Sequence, residues 1–232
     1  MTKILGIIPQ RKGSKGLPGK GTIDLNGKAV IEYTLSSAKK ASLIDKIIVS
    51  TDDDKVSSIS SKWDVDVVNR PPEIAQDDTP MIDVIKHSIE YFKNKGEIFD
   101  TVVLLQPTSP LRKNDDINKA ITQFKDKDAK SLISMGEVSH ENPYISFTIN
   151  NGIIEPFLKE KNNFTRRQEL PKVFFPYGLI FIAKTKDLLE KGSFYMENTI
   201  PYFIERWQCY EIDDIHDLKA IEAIMKYKNN EV

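Results

Sequence analysis

The sequence predicts an α/β protein with a mostly parallel sheet flanked by helices. Short buried runs rich in β-branched residues recur along the first half of the chain, and amphipathic helical patterns lie between them. Parallel strands need a crossover connection, which is usually a helix, so this alternation indicates a parallel sheet. The predicted strands are Lys3–Pro9, Lys46–Thr51, Val65–Asn69, Thr101–Gln106 and Ser131–Ser134.

Helices are predicted from the spacing of apolar residues. In the segment Val30–Ala41, Ile31 and Leu35 share one helical face. The segment Met81–Asn94 repeats this spacing, and a further amphipathic helix is predicted over Asp214–Tyr227. These helices would cover the faces of the sheet.

The pattern changes after about Gly136, where a small antiparallel excursion is predicted. The apolar runs Ile145–Ile149 and Ile153–Phe157 flank Asn150-Asn151-Gly152, and an Asn-Gly pair in this position indicates a β-hairpin. A buried strand returns at Gly178–Ala183. We therefore predict one domain over residues 1–232, with the excursion inside it at about 140–175.

Composition limits the partners. Lys and Arg total 33 against 34 for Asp and Glu, so no basic excess indicates nucleic acid. No apolar run approaches the roughly 20 residues of a membrane helix. The single cysteine, Cys209, follows Trp207-Gln208 in a predicted strand, and one cysteine excludes an internal disulfide. We expect a cytoplasmic protein that contacts neither nucleic acid nor membrane.

A loop rich in glycine and cations follows the first predicted strand. Glycines let backbone N–H groups approach phosphate oxygens, and fixed cations neutralise a polyphosphate. The spacing fits neither a Walker A loop nor a dinucleotide-binding fingerprint. The candidate nucleotide-binding residues in this loop are Arg11, Gly13, Ser14, Lys15 and Lys20.

Polar residues also follow the third and fourth strands. In an open parallel sheet, ligands bind outside the carboxyl ends of the strands. Arg70 lies there, either as a nucleotide ligand or as half of a structural ion pair. A proline-stiffened loop carries Gln106, Thr108 and Ser109, which suits a polar substrate.

Two carboxylates near the carboxyl end are candidate metal ligands. Side chains alternate along an extended segment, so Glu211 and Asp213 would share one side. Paired carboxylates of this kind suit Mg²⁺, which otherwise binds substrate phosphates. Alternatively, Asp213 or Asp214 caps the last helix.

Four motifs in order resemble the acylneuraminate cytidylyltransferases, also called CMP-sialic acid or CMP-nonulosonic acid synthetases, over nearly the whole chain. They are Ile7–Lys20, Ile48–Asp52, Asn69–Pro71 and Leu105–Arg112. The resemblance implies a Rossmann-like fold of the nucleotide-diphospho-sugar transferase type. It also implies that an Mg²⁺-dependent homodimer transfers CMP from CTP to the anomeric hydroxyl of an acidic nonulosonic sugar, with release of pyrophosphate.

The resemblance also implies roles for individual residues. Arg11, Ser14, Lys15 and Lys20 would hold the CTP phosphates, with Arg11, Lys15 and Asp213 acting in catalysis. Arg70 would help to recognise cytosine, and Gln106, Thr108 and Ser109 would face the sugar. Asp213 and Glu211 would bind the metal. The excursion would form the dimer, with Arg167 reaching the partner's sugar site.

Departures from the family pattern leave alternatives open. Gly21 stands where the family usually has asparagine, and Phe175 and Tyr177 alter a stretch near the sugar. The acceptor could be legionaminic, pseudaminic or 3-deoxy-octulosonic acid, or the chain could be a non-catalytic nucleotide-binding regulator. The base that takes the sugar proton is either a metal-bound hydroxide or Asp213 acting through water.

Overall fold

A seven-stranded sheet forms the centre of the computed structural model, which describes residues 2–13, 16–138, 141–158 and 166–229. The strand order is β11-β7-β10-β6-β1-β4-β5. The strands of this sheet are β1 (Ile4–Pro9), β4 (Lys46–Thr51), β5 (Asp66–Asn69), β6 (Thr101–Leu104), β7 (Ser131–Glu137), β10 (Phe174–Lys184) and β11 (Thr199–Phe203). Two short hairpins complete the strands, with β2 (Asp24–Leu25) paired to β3 (Lys28–Ala29) and β8 (Phe147–Asn150) paired to β9 (Ile153–Pro156).

The predicted mostly parallel sheet is confirmed. Strands β5, β4, β1 and β6 pair in parallel, as do β7 and β11. Strand β10 runs antiparallel to both of its neighbours, β6 and β7. The beginning of β10 therefore lies at the edge where the parallel strands end.

Helices cover both faces of the sheet, apart from the last one. They are α1 (Val30–Lys39), α2 (Asp54–Lys62), α3 (Met81–Lys93), α4 (Asp116–Asp126), α5 (Thr185–Lys191) and α6 (Ile215–Asn229). Contrary to the prediction, α6 packs away from the sheet faces, against Leu25, Val30 and Leu111 in a third apolar cluster. Alternation along β1 sends Ile4 and Ile8 into a core with α1, α2 and α4, and Leu5 and Ile7 into a second core with α3 and α5. No helix among the described residues combines the length and apolar character that a bilayer crossing requires.

The predicted hairpin is also confirmed. Asn151 and Gly152 have φ values of 52° and 80°, the left-handed conformation that a two-residue type I′ turn requires at both positions. Ile149 pairs with Ile154 across the hairpin. All eight residues of β8 and β9 are exposed, so the hairpin stands away from the two cores.

The strand predicted around Cys209 is wrong. Arg206–Gln208 forms a 3₁₀ turn, because Glu205 and Gln208 form a capping box that closes it. Gln208 is buried, and its amide donates to Leu111 O and Asp116 Oδ2 at 3.0 and 2.7 Å. These tertiary contacts outweigh the β propensity of the segment.

Candidate active site

A polar cavity of about 180 Å³ lies at the carboxyl edge of the parallel strands. Its walls come from the segments that follow β1, β5 and β6, because parallel strands bring their carboxyl ends to one edge. The lining residues are Pro9, Gln10, Arg11, Gly13, Lys20, Arg70, Met81, Gln106, Pro107 and Thr108. Segments that are far apart in the sequence thus meet as predicted.

Arg70 is fixed in the cavity wall. It is 7% exposed, and its Nη2 donates to Ser50 O at the end of β4 at 2.8 Å. Burial lowers the pKa of Arg70 to about 10, with the nearby Asp52 carboxylate opposing that shift. The side chain therefore stays cationic at neutral pH, and its described hydrogen bonds anchor it to Ser50.

Two further cations flank the cavity, each with a carboxylate partner. Arg11 Nη1 forms an ion pair with Asp77 Oδ1, and Lys20 Nζ lies 3.0 Å from Asp213 Oδ1. The Lys20 side chain is only 10% exposed, because the 3₁₀ turn Lys20–Thr22 folds it against the protein. Two of the cavity's cations are thus paired with carboxylates in this structure.

The glycine-rich loop is described only in part. Gly13 lines the cavity, and Lys12 N donates to Asp52 Oδ1 at 2.7 Å, which ties the start of the loop to the end of β4. Ser14 and Lys15 lie outside the described residues. Their phosphate contacts, and the catalytic role of Lys15, stay predictions.

The loop after β6 places its polar residues differently. Gln106 and Thr108 are half-buried and line the cavity. Ser109 has no exposed surface, and its hydroxyl donates to Glu211 Oε1 at 2.7 Å. In this structure Ser109 therefore fixes the loop, and its contact with a sugar stays a prediction.

Glu211 joins this loop to the start of β10. Its Oε1 also accepts a hydrogen bond from Gly178 N at 2.6 Å. The register of β10 against β7 shifts between Pro176 and Phe181, and such irregularities bend a strand and re-aim its groups. The shift turns the Gly178 amide toward Glu211.

The two predicted metal-ligand residues have separate partners. Glu211 accepts hydrogen bonds from Ser109 and Gly178, whereas the side chain of Asp213 is 83% exposed and forms an ion pair with Lys20. Asp214 caps α6, since its Oδ1 accepts from the backbone N–H groups of His216 and Asp217 at 2.7 and 3.0 Å. The capping alternative thus holds for Asp214 and leaves the Asp213 side chain at the site.

The carboxylates fit Mg²⁺ as a partial ligand set. Asp213 offers an exposed hard oxygen ligand, and both bonds to Glu211 end on Oε1 and not on Oε2. The described residues contain no cluster of three or more potential protein ligands. Mg²⁺ typically uses one or two carboxylates together with water and substrate phosphates, which agrees with such a sparse set.

Arg167 begins the short 3₁₀ turn Arg167–Glu169. Its side chain lies outside the described part of the structure. That it reaches a partner's sugar site therefore stays a prediction.

Arg112 supports the site, a role that the sequence did not predict. It was identified there only as the last residue of the motif Leu105–Arg112. Its guanidinium donates to the carbonyls of Leu179 and Gln106, both at 2.6 Å, and to Gly178 O at 3.2 Å. It also donates to Thr34 Oγ1 at 2.8 Å. Arg112 thus joins α1, the loop after β6 and the irregular part of β10.

We expect Arg112→Ala to lower the free energy of unfolding by about 3 kcal/mol, because hydrogen bonds to a charged donor contribute roughly 1.5–3 kcal/mol each and are only partly replaced by water. Chemical denaturation would measure this change. Arg206→Ala removes an exposed arginine that stacks on Tyr210 and should cost less than about 1 kcal/mol. Equal destabilisation by both variants would contradict the supporting role of Arg112.

A larger cavity, of about 750 Å³, lies at the opposite edge of the sheet. Its wall includes Asp100 and Thr101 at the start of β6, Lys184 at the end of the antiparallel β10 and Thr185 at the start of α5. This is the amino edge of the parallel strands, where ligands of open α/β sheets do not bind. Size alone therefore does not identify the site.

The fold and the cation-lined cavity define a nucleotide-binding α/β protein. The chain belongs to the cytidylyltransferase family, whose model matches residues 5–228. It is 32% identical over 218 residues to an N-acylneuraminate cytidylyltransferase of Streptococcus agalactiae, covering 93% of this chain and 51% of that protein. This chain thus spans about half the length of that relative.

Two other proteins match over nearly their full length. A CMP-N,N′-diacetyllegionaminic acid synthase of Legionella pneumophila is 31% identical over 228 residues, covering 97% of each chain. A solved CMP:2-keto-3-deoxy-manno-octonic acid synthetase complexed with CTP has a TM-score of 0.70 at 17% identity. That alignment covers 98% of this chain and 100% of the other, and it confirms the fold.

Proposed function

We propose that this protein transfers CMP from CTP to the anomeric hydroxyl of an acidic nonulosonic sugar and releases pyrophosphate. The observation that carries the proposal is the convergence of Arg11, Lys20 and Arg70 on one cavity with Gln106 and Thr108. The cations suit a triphosphate, and the neutral polar groups suit a hydroxylated acceptor. Membership of the cytidylyltransferase family supports CTP as the donor.

In the proposed reaction, the anomeric oxygen forms a bond to the α-phosphorus of CTP. The bond from that phosphorus to the oxygen bridging the β-phosphate breaks, and pyrophosphate leaves with the bonding electrons, while the hydroxyl proton is released to water. Arg11, Lys15 and Lys20 would oppose the negative charge on the phosphates, and Arg70 would hold the nucleoside. Gln106 and Thr108 would orient the acceptor.

We propose Mg²⁺ as the cofactor, held by Asp213 with a contribution from Glu211. When bound, the ion would neutralise phosphate charge and help to hold the triphosphate in place. Neither carboxylate lines the cavity, but the exposure of Asp213 and its contact with Lys20 support this assignment, because they put a carboxylate beside a cation that does.

The acceptor class rests on the relatives. The streptococcal protein is named for N-acylneuraminate and the Legionella protein for N,N′-diacetyllegionaminic acid. Both acceptors are nonulosonic acids, and the two relatives have nearly the same identity to this chain. We therefore propose the class as a whole, with N-acylneuraminate as the first acceptor to test.

Pyrophosphate release from purified protein tests the proposal. The assay would combine Mg²⁺ and each of the four nucleoside triphosphates with a panel of nonulosonic acids and neutral sugars. We expect release only with CTP and an acidic nonulosonic sugar. Binding of CTP without turnover of any acceptor would overturn the proposal in favour of a nucleotide-binding regulator.

We also propose a cytoplasmic homodimer that assembles through the hairpin. The hairpin exposes apolar residues, and contiguous exposed apolar surface is typical of protein interfaces. Ile149, Ile154 and Phe147 are 73%, 65% and 57% exposed, and their pairing puts them on one face of the hairpin. The single cysteine is compatible with the reducing cytoplasm, where CTP is available.

Ile149→Lys should weaken the dimer about tenfold or more, because a lysine would have to be desolvated in an apolar interface. Thr148→Lys is the matched control, since Thr148 pairs with Glu155 on the opposite face of the hairpin. Sedimentation velocity over a range of protein concentrations would measure the dissociation constant. The hairpin interface would be excluded if Ile149→Lys left this constant unchanged.

A further inference from the structure

Gly21 lies directly against the side chain of Gln10. A Cβ atom at position 21 would be 2.6 Å from Gln10 Cγ, 2.5 Å from Cδ and 2.9 Å from Nε2. Real Cβ atoms essentially never approach other heavy atoms this closely. Any other residue at position 21 would therefore displace Gln10.

Position 21 requires the small size of glycine and not its backbone freedom. Gly21 lies in the 3₁₀ turn Lys20–Thr22, and its φ is not in the left-handed region that favours glycine. An alanine could adopt the same backbone. The remaining reason for a glycine here is the room that it leaves for Gln10.

The side chain of Gln10 is held in the cavity wall. Gln10 is only 8% exposed, and its backbone N–H donates to Ser50 O at 3.0 Å. Its side-chain Nε2 donates to Arg11 O at 2.9 Å, which fixes the orientation of the carboxamide. Within the described residues, no hydrogen bond ends on Gln10 Oε1.

Among the side chains that line this cavity, those of Gln10, Gln106 and Thr108 carry oxygen acceptors. Arg11, Lys20 and Arg70 have only N–H donors, which suit phosphates and the carbonyl oxygen of a base. A nucleoside also carries donors of its own, namely the hydroxyls of its sugar and, in cytosine, an exocyclic amine. Those donors need acceptors, and Gln10 Oε1 is an anchored one beside the cations.

We propose that Gln10 Oε1 accepts a hydrogen bond from an N–H or O–H donor of the nucleoside part of the bound nucleotide, and that Gly21 leaves the space for it. This inference rests on the proposed function, because it requires CTP in this cavity. Gln10 would be a specificity-determining residue, positioned in the space that Gly21 leaves.

Titration calorimetry without a sugar tests the inference on the full chain. Gln10→Met keeps the length of the side chain but removes the amide, so CTP should bind about tenfold more weakly, the effect of losing one hydrogen bond of about 1.4 kcal/mol. Gly21→Ala should weaken CTP binding to a similar extent, because it displaces Gln10. A thermal melt of each variant would establish that it is folded.

A double variant separates this coupling from two independent effects. In Gln10→Ala with Gly21→Ala, the added methyl group meets no glutamine, so CTP should bind as in Gln10→Ala alone. Multiplied losses in the double variant would overturn the coupling. CTP affinity equal to that of the unaltered protein in Gln10→Met would overturn the contact itself.

Three nucleotide analogues identify the donor. UTP lacks the exocyclic amine, 2′-deoxy-CTP lacks one ribose hydroxyl and 3′-deoxy-CTP lacks the other. Gln10→Met should reduce the preference for CTP over one of these three analogues, and any of the three results supports the proposal. Equal weakening of CTP and all three analogues would overturn it. Failure of the unaltered protein to bind CTP would overturn the proposed function together with the inference.

Discussion

Asp213→Asn should lower kcat for pyrophosphate release by about 10²- to 10³-fold, the range for removal of one preorganised charge-stabilising group. The substitution removes the negative charge of a side chain that we propose as an Mg²⁺ ligand. Asp213 Oδ1 lies 3.0 Å from Lys20 Nζ. Because the Asp213 side chain is 83% exposed, the fold does not depend on its burial. The Mg²⁺ concentration that gives half-maximal rate should also rise.

Asp214→Asn is the matched control, with the same chemical change one residue along the chain. Asp214 caps α6, and asparagine caps a helix about as well as aspartate, so both the melting temperature and kcat should be nearly unchanged. Steady-state kinetics over an Mg²⁺ series would compare the two variants. Equal rates for Asp213→Asn and the unaltered protein would remove Asp213 from the catalytic assignment.

Gly178→Ala should reduce kcat/KM for the sugar by about 10²-fold, because an ångström-scale displacement of a positioning group can have an effect of that size. An added Cβ would be 2.5 Å from Gln106 Oε1 and 2.7 Å from Glu211 Oε1. The flexible end of Gln106 is the group that can move. Initial rates at varied sugar and saturating CTP would measure the loss.

The binding of CTP separates this effect from general damage. The three atoms nearest to the added methyl group belong to Gln106 and Glu211, and none belongs to the cations that we assign to the nucleotide, Arg11, Lys20 and Arg70. The dissociation constant for CTP should therefore stay close to that of the unaltered protein. A normal KM for the sugar, or an equal loss of CTP affinity, would contradict the role of Gln106 in acceptor binding.

The position of the site could be predicted from local patterns. Arg70 and Gln106 each follow a buried strand, and parallel strands end at a common edge, so the sequence indicates that these residues meet. The type I′ turn at Asn151-Gly152 follows from the residues that tolerate positive φ. Both predictions depend on interactions between near neighbours or on a general rule of sheet topology.

The hydrogen bonds that connect the loops of the site could not be predicted in this way. Ser109 and Glu211 are 102 residues apart, and Arg112 and Leu179 are 67 residues apart, yet each pair is hydrogen-bonded. The register shift in β10 that turns the Gly178 amide toward Glu211 leaves no periodic signal in the sequence. The strand expected at Cys209 failed for a related reason, since distant partners of Gln208 determine the local conformation.

The reversed direction of β10 puts the segment that follows the hairpin at the ligand edge of the sheet. The first residues of β10, including Phe175 and Tyr177, lie at that edge before the strand enters the core. Under the proposed function, substitutions here that broaden the range of acceptors would lie in the part of the chain that follows the proposed dimer surface. We therefore expect acceptor choice and assembly to influence each other in this protein.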